Sequence, residues 1–347
     1  MMRPTRRHFL LVTAGASGLA GLALGDWLRE TSGGMPRAEE RPAENGLFAA
    51  RRNSLALGCE VSMLALHRRA GAAAAALDAA FDELERVERV MSIYRPESQL
   101  SRLNRTGALD TPHPYLVQVL EAAQATSQRS AGAFDVTVQP LWAVYARAGA
   151  RGEQPSEREV AEARRKVDWR KLEVSASRVR LAEPGMAVTL NGIAQGFAAD
   201  RALEALRRAG VEGALVNTGE LGTLGRKAGG EAWTVGIQHP RQADAYVELA
   251  RLEGRCLATS GDYATTFSPD RANNHIFDPS TGRSPEGFSS VSVVADLGLT
   301  ADALSTALFV LPLDRGAELL KAHPGVEAFF VKKDGTALGT RGFPRAS

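Results

Sequence analysis

Cysteine is scarce. Cys59 and Cys256 are the only two in 347 residues, far apart and without metal-type spacing, which excludes a disulfide-stapled scaffold and a thiolate metal site. Each sits in an apolar, strand-like run, so both are expected as buried free thiols. An excess of one charge sign is lacking too: the formal net charge is +2, which gives no basis for a nucleic-acid partner. No long hydrophobic run is present. The most apolar stretch, residues 10–25, contains Thr13, Ser17 and four glycines, too short and too weakly apolar for a stable membrane-spanning helix. There is no internal repeat of fixed period.

What the N-terminus does contain is Arg6-Arg7 followed by Phe9, a modest apolar stretch, and small residues around Ala23 and Gly25. This order predicts a twin-arginine export signal over residues 1–25, and hence a periplasmic protein. No Cys lies near the expected cleavage point, so a lipid anchor is not expected. Cleavage after Gly25 would reduce 42 basic residues to 39 against 40 acidic ones, a net charge of −1. Residues 26–46 are rich in charge, Pro and Gly without apolar periodicity, and read as a flexible linker. Residues 47–347 suffice for one large domain or two intimately joined lobes.

Apolar periodicity predicts a strand over 53–67 and helices over 71–90, 114–129, 156–166, 196–209, 300–311 and 314–322. Further strands are expected at 211–217, 232–238, 245–252 and 288–295. Strands and helices are not regularly interleaved, so an α+β fold with largely antiparallel sheets is expected rather than a doubly wound parallel one.

The chemistry-bearing segments begin with HIFDPSTG, His275 to Gly282, and ADALSTAL, Ala301 to Leu308. Asp302 and Thr306 stand one helical turn apart, so a carboxylate and a hydroxyl share a face, a natural fork for a hard cation. His275 and Asp278 sit in a stretch that Pro279 and Gly282 force to turn. Five more segments are rich in ligand-handling residues: Met91 to Asn104, Gly132 to Leu141, Thr189 to Asp200, Leu215 to Gly225 and Ala258 to Tyr263. Gly192 and Gly196 flank a strand-to-helix junction whose N–H groups would receive a phosphate or simply start a helix.

In their order these seven segments resemble the ApbE family, the FAD:protein FMN transferases, over about residues 54–335. The twin-arginine signal is similar to that of NosX-like members. The resemblance implies an ApbE-like α+β fold and an enzyme that takes FAD as substrate, attaches FMN through a phosphoester to a Ser or Thr of an exported or membrane-bound redox protein, and releases AMP. It implies Mg2+ held by Gly192, Asp302 and Thr306, and FAD contacts at Leu57, Tyr94, Ala133, Phe134, Asp135, Thr189, Gln195 and Ile276. His275 is the expected base toward the acceptor hydroxyl, with Asp278 orienting it or holding the turn.

The chain departs from the family pattern at three places. Thr189 stands where Asp is common, Gln195 where Lys or an acid is common, and Glu220-Leu221 interrupts a usual Gly-Gly-Asp run after Asn217. Two other readings follow: a metal-dependent FAD pyrophosphatase giving free FMN and AMP, or an exported FAD-binding protein without turnover.

Overall fold

The computed structural model describes residues 38–346 and the pair Thr13–Ala14; the rest of the expected signal, including Arg6 and Arg7, lies outside the described residues. The described domain opens with three strands, β1 (Glu39–Pro42), β2 (Phe48–Ala56) and β3 (Cys59–His67). Residues 39–46, expected as linker, are instead a strand and a short 3-10 turn. The physical reason is a cap: Glu40 of β1 accepts the backbone N–H groups of Gly71 (2.6 Å) and Ala74 (3.3 Å) at the start of the next helix. A carboxylate there satisfies donors that have no intrahelical partner and complements the helix dipole.

The single strand expected over 53–67 is a hairpin, β2 paired antiparallel with β3. Leu57 and Gly58 turn the chain with φ of 56° and 76°, the left-handed pair that a two-residue hairpin loop requires. Helix α1 (Ala72–Met91) follows, then α2 (Gln99–Thr106), the short β4 (Ala108–Asp110), α3 (Pro114–Arg129), α4 (Gln139–Gly149) and α5 (Glu157–Arg164). Strands β5 (Leu172–Val174) and β6 (Arg178–Leu181) join β4 in a small antiparallel sheet. Next come α6 (Ala194–Arg208), β7 (Gly213–Asn217), β8 (Leu221–Gly225), β9 (Trp233–Gln238), β10 (Tyr246–Leu252) and β11 (Cys256–Gly261). The chain finishes with β12 (Phe288–Ala295), α7 (Gly298–Val310), α8 (Leu313–Lys321), β13 (Glu327–Lys332) and β14 (Ala337–Gly339).

Nine of these strands form one sheet in the order β14-β13-β12-β11-β8-β7-β3-β2-β1, with every neighbouring pair antiparallel. The expected α+β, largely antiparallel class is what the structure has. One face of the sheet packs α1, α6 and α7 over the main core, where Leu77, Leu84, Phe197 and Phe309 are fully or almost fully buried. The other face is covered by the β9–β10 hairpin through Trp233, Val235 and Leu252 against Leu215, Leu257 and Val294. Because both faces are covered, β12 is buried at all eight positions. That explains why its sequence reads as a continuous apolar and small-residue run rather than an alternation. Cys59 and Cys256 are buried free thiols, as expected.

Candidate active site

The site begins where α6 and α7 cross. A Cβ on Gly196 would stand 2.1 Å from the Gly298 carbonyl oxygen, and one on Gly298 would stand 2.4 Å from that of Gly196. Only glycine permits this approach. Two carboxylates then tie the helices together. Asp200 of α6 accepts the N–H groups of Gly298 (2.6 Å) and Leu299 (2.9 Å), capping α7, while Asp302 of α7 accepts the N–H of Gly196 at 2.9 Å. One helical turn beyond Asp302, the Thr306 hydroxyl lies 3.0 Å from Ser260 Oγ of β11, itself 2.8 Å from Ser305 Oγ. A Cβ on Gly192 would come within 2.8 Å of Thr306 Oγ1. The structure therefore brings Gly192, Asp302 and Thr306 together at the foot of one cavity. The Gly196 N–H, expected among the donors free for a phosphate, is already taken by Asp302.

That cavity, about 140 Å3, is walled by ten of the twelve candidate residues: Ala133, Phe134, Asp135, Thr189, Gly192, Gln195, His275, Ile276, Asp302 and Thr306. Its wall also includes Glu220, Thr259, Ser260 and Trp142, but no Lys or Arg. Asp302 is only 3% exposed. Burial pushes its carboxyl up to about 7, and the charge of Asp200 adds to the rise. Glu220 is 8% exposed, and burial, followed by the charge of Asp302, pushes it well above the usual carboxylate range. Two carboxylates in a buried cavity with no cationic side chain in its wall suit a cation. Carboxylate, hydroxyl and carbonyl are all hard oxygen donors, so the residues present fit Mg2+. Among the described residues no group of three or more His, Cys, Asp or Glu is positioned to hold a metal; substrate oxygens or water would have to complete the coordination shell.

His275 enters the cavity from the loop between β11 and β12. The loop is pinned on both sides of it. Buried Asn274 accepts the Ile276 N–H at 3.1 Å and is itself held by Ser284. Phe277 packs against Tyr145 and Phe267, with ring centroids 5.0 and 6.3 Å away, in a core shared with α4 and α5. The imidazole Nδ1 is 3.2 Å from the Thr265 carbonyl oxygen. A carbonyl only accepts, so this contact assigns the proton to Nδ1 and leaves Nε2 with a free lone pair. Burial lowers the His275 pKa below the ordinary imidazole value, which keeps the ring neutral at pH 7. Asp278 does not orient it. Its carboxylate accepts from Ser280 N (2.8 Å) and Ser280 Oγ (2.7 Å) and so holds the turn, while Thr265 does the orienting.

Leu57 and Tyr94 stand outside the cavity wall. Tyr94 is 67% exposed, and a Cβ on Gly58 would lie 3.9 Å from its ring, so the Leu57–Gly58 turn and Tyr94 form a shelf. The shelf adjoins the cavity through Cys59, whose sulfur accepts from Gln195 Nε2 at 3.4 Å. Asp135 lies in the wall, yet its carboxylate is taken up by Thr137 N (2.8 Å), Thr137 Oγ1 (2.6 Å) and Trp169 N (3.0 Å). The Thr189 hydroxyl accepts from Asn191 N at 3.3 Å. Gln195 packs so closely over Gly219 that a Cβ there would meet its amide nitrogen at 2.4 Å.

Glu220, Thr259 and Ser260 line the cavity from segments the sequence marks as ligand-handling, though it singles out none of them as a contact, and Trp142 lies just outside such a segment. Glu220 stands out in the sequence as a departure from the family pattern, and Thr265, which meets His275 through a backbone carbonyl, has no sequence signal.

The ApbE family profile matches residues 57–330. The FAD:protein FMN transferase of Klebsiella pneumoniae is 31% identical over 268 residues, 73% of this chain and 81% of that protein. That of Treponema pallidum is 32% identical over 281 residues, 75% of this chain and 78% of that protein. Among solved structures, the ApbE protein of Thermotoga maritima superposes with a TM-score of 0.75 at 26% identity, covering 88% of this chain and 97% of the other. The flavin transferase ApbE of Vibrio cholerae gives 0.73 at 25% identity, covering 89% and 98%.

Proposed function

This chain belongs to the ApbE family, and from that premise we propose that it is an FAD:protein FMN transferase that works on exported proteins. The observation that carries the reading is His275, its Nδ1 fixed on Thr265 and its other nitrogen free, in the same cavity as the Asp302–Thr306 fork. A Ser or Thr hydroxyl of the acceptor approaches the FMN phosphorus of FAD. His275 Nε2 takes its proton, the new P–O bond forms, and the bond between that phosphorus and the bridging oxygen breaks, releasing AMP. The Thr265 carbonyl accepts from Nδ1 throughout and steadies the imidazolium that results. Asp302, Thr306 and the Gly192 carbonyl would hold Mg2+, which when bound supplies positive charge to the pyrophosphate as it separates.

The cavity volume of about 140 Å3 is below the ~300 Å3 that small-ligand sites usually enclose, so it takes the reacting phosphates and one adjoining group. The remainder of FAD lies over the shelf, where the exposed Tyr94 ring offers a flat apolar face. Periplasmic action on an exported or membrane-bound redox protein is supported by Arg6-Arg7 and the short apolar stretch after them. Incubation with FAD, Mg2+ and a candidate acceptor tests the proposal. Transfer yields flavin bound covalently to the acceptor with one AMP per flavin. Free FMN with unlabelled acceptor would make the protein a pyrophosphatase, and intact FAD would make it a binding protein.

A further inference from the structure

Glu220 has no part in the ligand set that the sequence suggests, yet it stands in the wall of the same cavity as Asp302 and Thr306. The two carboxylates are built alike. Each is more than nine-tenths buried. Each has one oxygen fixed by a backbone N–H from a neighbouring element: Glu220 Oε2 by Thr259 of β11 at 2.9 Å, and Asp302 Oδ2 by Gly196 of α6 at 2.9 Å. Neither second oxygen has a hydrogen-bond partner among the described residues, and neither is sealed from the cavity. Two buried carboxyl groups, each with an unpartnered oxygen and no Lys or Arg in the wall, present hard oxygen donors that no cationic side chain of the wall occupies.

The position of Glu220 is itself constrained. It follows Gly219, whose φ of 99° lies outside the range comfortable for other residues, and Gln195 packs flat against that glycine. The Thr218 hydroxyl bonds the Gln195 carbonyl at 2.9 Å. The turn carrying Glu220 is thereby tied to the first turn of α6, next to Gly192 and Gly196. Its carboxylate faces the cavity because the backbone on both sides is held there.

We propose that Glu220 is a second carboxylate ligand of the divalent cation, acting with Asp302 from the wall of the same cavity. The inference rests on the cation reading given above and deepens it. With Glu220 included, the protein ligands carry a charge of −2 rather than −1, and the affinity of hard-cation sites rises with ligand charge. The chain also lacks an acid at Thr189 and a charged group at Gln195, so Glu220 and Asp302 supply the only side-chain carboxylate oxygens in the wall not already bonded within the protein.

The test is titration of the full chain with Mn2+ alone, followed by calorimetry, alongside Glu220→Gln and Asp302→Asn. Glutamine keeps an oxygen to accept from Thr259 and removes only the charge. The proposal predicts that Glu220→Gln weakens Mn2+ binding at least about tenfold. The cation-free variant should melt no lower than the parent, and Mn2+ should raise its melting temperature less. Unchanged Mn2+ affinity in Glu220→Gln, with loss in Asp302→Asn, would overturn the role of Glu220 and leave the cation site standing. A cation-free variant that unfolds or melts lower would assign Glu220 a structural role instead. No Mn2+ binding by the parent chain would remove the cation reading itself.

Discussion

Two side chains, His275 and Asp302, decide whether the proposed transfer can occur. His275→Ala should retain FAD affinity and lose about 10²- to 10⁴-fold in attachment rate, the usual worth of a positioned base. Stopped-time flavin labelling and an FAD titration on the same preparation check both halves. The pH dependence has a definite sign. A base must be unprotonated to act, and burial lowers this pKa, so the rate stays on its plateau through the ordinary imidazole range and falls only in more acidic solution. An acid limb centred above the usual histidine value would contradict the burial argument. With Asp302 and Thr306 in the proposed ligand roles, Asp302→Ala should lower Mg2+-dependent turnover by orders of magnitude, whereas Thr306→Ala, which removes a neutral donor, should do less. The fork was legible because 302 and 306 share a helical face on spacing alone. The tautomer of His275 was not, because it depends on a carbonyl ten residues away that only folding brings near.

At the scale of the element, the crossing of α6 and α7 is what turns separate segments into a site. Gly196→Ala would place a methyl within 2.1 Å of the Gly298 carbonyl, so the helices must part and the Gly196–Asp302 bond must lengthen. Overpacking of this kind costs about 1–3 kcal/mol, and thermal melts should show it together with a larger loss of turnover than the lost stability explains. A fully active Gly196→Ala protein would show that the close crossing does not position the fork. Long periodic elements could be read from sequence: the helix over 114–129 and the strand over 288–295 appear at those residues. The β2–β3 hairpin read as one strand because Leu57 occupies a left-handed position where Asn, Asp or Gly is the usual signal. The sheet of β4, β5 and β6 escaped detection because strands of three or four residues are too short for alternation to register.

Two further expectations concern the whole molecule, its pH-dependent stability and its export. The raised pKa values of Asp302 and Glu220 mean that the unfolded chain releases these protons at lower pH than the folded one does. Their contribution to stability is present below the ordinary carboxyl pKa and is lost as pH rises through the raised values. The cation-free parent should therefore lose melting temperature relative to Asp302→Asn between about pH 5 and pH 8, and a divalent cation should narrow the gap. A gap that stays constant with pH would show that Asp302 is ionised throughout. Replacing Arg6 and Arg7 by Lys should strand the folded precursor in the cytoplasm, because the paired arginines are read by a receptor rather than by hydrophobicity; cell fractionation reads this directly. The most direct measurement of the central claim is intact-mass analysis of exported proteins from cells with and without this gene. At least one redox protein should carry the mass of FMN less one water on a Ser or Thr only when the gene is present and His275 is intact. The same adduct in cells lacking the gene, or its absence from every exported protein in both, would contradict that claim.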